Sequence, residues 1–379
     1  EYAARVIDGT LNLGEAVTLG TAGNAVAAVY GQLTAANAAL TAKLFLHKNN
    51  PGVTAQGSFA AATGKLTQRG SLTIRSTRND DPYNDNYVDG LTVTGVRVAD
   101  GSKENSLHLI LGPGEVKAEL TADSTFASVS VTGEDQTAKL NILGAITIDS
   151  TLDTTKQTYG LKAANAVVDF EGVLPAAVRI HAESGTAITA DASQIFLRGD
   201  LDIQGTLGGI TVTNNTLLTG FADASGEIVT KSSEATQSLT TGKVKSDTGN
   251  AITVGKNSTT DDGSTVLLGS LTYEAAQTVL CTQNAAEVYL RTEKEENVAD
   301  NLKMWGQTIA DLTGTGKVTI ENYVMNQNTP GTDAAIKSKD TTLEITGGAL
   351  NAAAGKTGID ITGKTLTLAD TTVTVDGTN

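Results

Sequence analysis

Three short stretches of this sequence carry residue types whose spacing could support chemistry. Residues 79–90 read Asn-Asp-Asp-Pro-Tyr-Asn-Asp-Asn-Tyr-Val-Asp-Gly. Hard cations such as Ca²⁺ take about six to eight oxygen ligands, and a loop this dense in Asp and Asn can converge several of them. Asp80, Asp81, Asn84, Asp85 and Asp89 are the candidate ligands. Their spacing departs from that of the EF-hand loop, and Asx side chains also gather in turns simply because they cap their own backbone. Calcium is the one cofactor these residues suggest, with a plain Asx-rich turn as the alternative. Asp261-Asp262-Gly263 is a weaker form of the same signal.

The second stretch is Gly199-Asp200-Leu201-Asp202-Ile203, preceded by Arg198. On a strand, Asp200 and Asp202 point the same way, about 7 Å apart. That separation suits a pair of carboxylates acting on a polysaccharide. The competing reading is a solvent-facing row alternating with Leu201 and Ile203, and we favour it. The third stretch, Leu350 to Thr357, ends like a phosphate-binding loop in Gly355-Lys356-Thr357. The motif requires Gly six residues before the Lys, where this chain has Leu350, so it fails.

Other reactive groups are sparse. The single Cys281 lies in the apolar run Thr278-Val279-Leu280-Cys281-Thr282 and is expected to be buried and inert. His47, His108 and His181 fall in no recognisable catalytic arrangement. Two glycosylation sequons, at Asn214 and Asn257, are unsurprising in a chain so rich in Asn and Thr. We therefore expect no catalytic residues and no enzymatic activity.

The elements that would position these residues are short strands. The 379 residues include 58 Thr and 40 Gly but only 5 Pro, and aromatics make up 4%. Thr is β-branched and half polar, which suits a strand with one wet face, while Gly and Asn supply turns. The formal net charge of −15 argues against nucleic acid and anionic lipid as partners. No apolar run reaches the length of about 18–20 residues that a membrane span needs. The chain begins at Glu1, which we take to favour a processed, exported form.

From Leu91 onward, alternating segments recur every 8–12 residues or so. Examples are Leu107–Leu111, Ala145–Ile148, Val178–His181, Leu201–Ile203, Ala251–Val254, Val318–Ile320, Leu343–Ile345 and Val373–Val375. The turn triplet Thr-Gly-Lys introduces strands at residues 63, 241, 315 and 362, although no fixed period emerges. These features predict an all-β fold, either a β-solenoid or tandem β-sandwiches. One or two short helices are expected besides, one within 25–46, where Ala42–Leu46 reads equally as a strand, and one over 293–305, where Trp305 would pack structurally or serve as a ligand platform. The Asx-rich loop suggests a boundary, with residues 1–90 forming an N-terminal region and 91–379 the long strand array.

Aliphatic residues at every second position, separated by Gly, Asn and Asp turns, resemble the β-helical passenger and surface-adhesin proteins of bacteria. The resemblance implies a secreted solenoid at a cell surface. Both ends of the chain are strand-like, with Thr10, Leu11, Asn12 and Leu13 near one and Val373, Thr374 and Val375 near the other. Neither is guarded by a block of charge, so each could pair with a strand of another copy. The sequence thus leads to an extracellular structural subunit of a filament, sheath or surface layer whose main partner is itself. The alternatives are an adhesin or carbohydrate-binding module that contacts surface glycans and, less favoured, a polysaccharide-degrading solenoid.

Overall fold

The computed structural model describes residues 6–13, 29–35, 40–46, 65–68, 72–78, 89–94, 108–111, 114–120, 126–133, 136, 138–142, 145–152, 158–170, 176–256, 262–328 and 334–375. The chain divides into two compact units, residues 1–195 and 196–379, and each is a parallel β-solenoid. From Lys65 of the first unit onward, and throughout the second unit, the described strands visit three sheets in rotation, so each turn of chain forms one coil that pairs with its neighbouring coils.

In the first unit, the first sheet holds Val6–Leu13, Val29–Ala35, Lys65–Gln68, His108–Leu111, Ala138–Ile142 and Ala166–Phe170. The second holds Leu40–Leu46, Leu72–Arg78, Gly114–Leu120, Ile146–Leu152 and Ala177–Ala182. The third holds Asp89–Thr94, Phe126–Thr132, Thr158–Ala164 and Thr186–Asp191. The ladders continue past residue 90, since Lys65–Gln68 pairs with His108–Leu111 and Leu72–Arg78 with Gly114–Leu120.

In the second unit, the first sheet is built from Leu217–Thr219, Thr265–Gly269, Glu287–Arg291, Lys317–Glu321, Thr342–Thr346 and Leu366–Ala369. Its second sheet contains Gly199–Gly205, Thr240–Ser246, Leu271–Ala275, Lys303–Gly306, Val324–Gln327, Ala349–Ala352 and Thr372–Val375. Its third runs from Gly208–Thr213 through Asn250–Gly255, Thr278–Gln283, Thr308–Thr313 and Ala334–Lys339 to Thr357–Thr362.

Both helical expectations are corrected. Within 25–46 the chain forms the strands Val29–Ala35 and Leu40–Leu46. Over 293–305 it forms one turn of 3-10 helix, Val298–Asp300, and then the strand Lys303–Gly306. Short helices are marginal without tertiary support. The strand has parallel neighbours on both sides, Leu271–Ala275 and Val324–Gln327, so backbone pairing wins. Among the described residues there is no α-helix.

Parallel in-register pairing stacks each inward residue on its counterpart one coil away. In the second sheet of the second unit, the row Val244, Tyr273, Met304, Met325 and Leu350 is fully buried. Tyr273 packs against the equally buried Tyr323 with ring centroids 5.7 Å apart. Near Leu267 the coil is broken by an insertion over residues 220–239, whose Phe221–Ala222 and Gln237–Ser238 pair antiparallel. Phe221, Val229 and Ala235 cover Leu267 and Tyr289 of the first sheet. Arg291 fastens the insertion, with its guanidinium 5.1 Å from the centre of the Phe221 ring and donating to the Ala235 and Thr236 carbonyls. Burial, with help from the Glu321 carboxylate, pushes the Tyr289 hydroxyl up to about 12.

The corners share one device. At each of four corners an Asx residue with positive φ donates its N–H to the residue just before a glycine one coil later. The pairs are Asn215 with Gly263, Asn284 with Gly314, Asn322 with Gly347 and Asp340 with Gly363. The Asx side chain then lies over the glycine, and a Cβ on Gly314 would sit 2.0 Å from Asn284 Oδ1. Gly314 also has φ +93°, a conformation that costs other residues about 1–2 kcal/mol.

Gly314→Ala is therefore expected to destabilise the fold by about 2–3 kcal/mol in urea unfolding. In an Asn284→Gly background the clash with the side chain is removed while the 2.7 Å approach to the Cα of residue 284 remains, so the penalty should shrink by about 1 kcal/mol but persist. Strict additivity of the two substitutions would sink this account of the corner.

Candidate functional site

The feature that most sets one part of the molecule apart is the last described coil, formed by Thr357–Thr362, Leu366–Ala369 and Thr372–Val375. Its sequence alternates as the earlier coils do, and its register continues theirs. Leu366 stacks on Leu343, Leu368 on Ile345, Val373 on Leu350 and Val375 on Ala352. The earlier four are at most 3% exposed, whereas Leu366, Leu368, Val373 and Val375 are 36%, 44%, 40% and 43% exposed. These side chains occupy the inward rows of the solenoid, and among the described residues no further coil lies on them. The same three strands end their sheets, so each presents a row of backbone donors and acceptors along its free edge. The coil thus combines unused backbone pairing with uncovered aliphatic surface, which is the chemistry of strand addition.

The other segment expected to assemble lies in the strand Val6–Leu13, which ends the first sheet of the first unit. Thr10, Leu11, Asn12 and Leu13 pair on one side with Gln32, Leu33, Thr34 and Ala35. Val373 and Val375 face inward, while Thr374 belongs to the outer row that includes Asn326 and Asn351.

The proposed calcium ligands Asp80, Asp81, Asn84 and Asp85 lie outside the described residues, and Asp89 opens the strand Asp89–Thr94 opposite Ala127. Among the described residues no three His, Cys, Asp or Glu converge on a common point. Asp262 has a structural task. It is buried, and its carboxylate accepts from the Asn214 N–H at 2.8 Å and from the Ser264 hydroxyl.

Asp200 and Asp202 stand on the outer side of their strand, alternating with the buried Leu201 and Ile203. Asp200 accepts from Thr241 at 3.3 Å, and Asp202 lies 3.5 Å from Lys243. His181 accepts from Arg179 at 3.2 Å on a neighbouring outward position. Lys356 sits in the turn between Ala349–Ala352 and Thr357–Thr362, where its N–H donates to Ala353. Among the described residues no helix is long and apolar enough to cross a membrane.

Sequence reasoning missed Leu366 and Leu368 as surface groups. Their alternation looked like that of any buried strand, and only the stacking order places them on the last described strand of the sheet.

Comparison with protein-family models, curated proteins and solved structures gives no match.

Cys281 is only partly exposed, and burial followed by the Asp311 carboxylate pushes its thiol up to about 11. Maleimide labelling at pH 8 is expected to run roughly a hundredfold slower than for an unperturbed thiol. Asp311→Asn, which removes the negative neighbour and lowers the pKa, should accelerate it. Labelling at the rate of a free thiol would contradict this placement.

Proposed function

We propose that this chain is a non-catalytic structural subunit of an extracellular filament, sheath or surface layer that polymerises by stacking solenoid coils of successive copies. The observation that carries the reading is the coil 357–375, whose inward aliphatic side chains are about 40% exposed where those of the preceding coil are buried. The occupant that fits it best is a coil of the same cross-section. A second copy offers a strand for its first sheet, Val6–Leu13, which among the described residues is paired on one side. Covering the four side chains recovers about 3 kcal/mol by area, and each new ladder adds backbone hydrogen bonds.

A contact between two different surfaces of the same chain is heterologous, and it propagates into a filament wherever its rotation does not close into a ring. The acidic, Thr-rich composition and the texture shared with bacterial passenger and adhesin proteins support a place outside the cell.

Negative-stain microscopy and light scattering should reveal polymers of the intact chain. Val373→Lys with Val375→Lys places two ammonium groups at sites already open to water and should yield a folded monomer with an unchanged circular dichroism spectrum. Deleting residues 1–13 or 371–379 should do the same. A strictly monomeric parent chain, or undiminished polymers in both deletions, would refute the proposal.

A further inference from the structure

A groove of about 380 Å³ runs along the outer face of the second sheet in the second unit, at the C-terminal ends of its strands. Its shape follows from the register. Lys245, Glu274, Trp305 and Asn326 are successive members of one outward row. Ala275 and Ala276 lie beside Trp305 in the lining and leave its floor low. Four strands spaced by one ladder step each give the groove a length of roughly 14 Å.

Trp305 alternates with the buried Met304 and Gly306, and its ring is partly exposed at the groove. The polar rim comes from Asp247, Glu274 and Asn328. Asp247 is held in place from both sides, 3.0 Å from the Lys245 ammonium and accepting from Gln204 at 3.0 Å. That contact also raises the Lys245 ammonium above its ordinary range.

The geometry points to a binding site for a neutral oligosaccharide, with a sugar ring stacked on Trp305 and its hydroxyls donating to Glu274 and Asp247. A pyranose presents an apolar C–H face and a rim of hydroxyls, and the groove is lined by one aromatic side chain together with Asp247, Glu274 and Asn328. Acidic glycans and nucleic acid are disfavoured, because two carboxylates stand against one ammonium that Asp247 already engages. Metal chelation is disfavoured as well, because Asp247 and Glu274 belong to no convergent ligand group among the described residues. This site is independent of polymerisation, since it lies on a lateral face and uses none of the residues of the open coil.

Trp305 is the one tryptophan of the chain, so its emission reports directly on the groove. The intact protein is titrated with cello-, malto-, manno- and chito-oligosaccharides, with an oligogalacturonate as the acidic comparison. At least one neutral oligosaccharide should shift the emission saturably, and the oligogalacturonate should not. By calorimetry, Trp305→Ala should weaken binding roughly tenfold, the scale of one aromatic contact. Glu274→Gln, which keeps the size of the side chain, should weaken it without changing the circular dichroism spectrum. Repeating the titration on Val373→Lys with Val375→Lys separates the two proposals, since binding should be unchanged whether or not polymers form. Silence with every neutral oligosaccharide, preference for the acidic one, or equal affinity in Trp305→Ala would overturn the assignment.

Discussion

Everything in this molecule depends on parallel backbone pairing that stays in register from one coil to the next. In the second unit the strand partners run residue for residue, as from Leu343 to Leu366 and from Ala349 to Thr372. A slip of one residue would turn a whole inward row to solvent. The cost of such a slip is why the interior can be made of ordinary aliphatic residues with so few aromatics. Stacking like upon like fills the core without large side chains, and the Tyr273–Tyr323 pair is the main departure from that economy.

The strand content was legible in the sequence, because Thr-rich segments with aliphatics at alternate positions have few other uses. The choice of a solenoid over sandwiches was not, and the reason lies in the corners. Ala138 pairs with Ala166, 28 residues on, whereas Leu343 pairs with Leu366, 23 residues on. Corners of variable length, together with the Phe221 insertion, smear any period beyond recognition. The helical reading of 25–46 failed because Val29, Leu33, Leu40 and Leu44 fit three- and four-residue steps as well as they fit two separate strands. The segment 293–305 failed because its charges precede a strand instead of forming one face of a helix.

Sites are harder to read than strands in a fold like this, because residues that meet are about thirty positions apart. Lys245, Glu274 and Trp305 become neighbours only through the ladder. The pairs seen within one strand, such as Asp200 with Asp202, were visible in sequence but answer mainly to Thr241 and Lys243 on the next strand. Composition pointed to strands, and the register then showed which outward positions stand together.

The Asx-over-glycine corners bear on how such a chain can change its length. At the corner before the first sheet of the second unit, Asn215, Gly263, Asn284, Gly314, Asp340 and Gly363 alternate strictly in type. Duplicating or losing a single coil there would set Asx upon Asx, crowding two side chains, or glycine upon glycine, leaving a gap. Two coils together form the smallest interchangeable cassette. A change of length by two coils keeps that alternation, and a change by one coil breaks it.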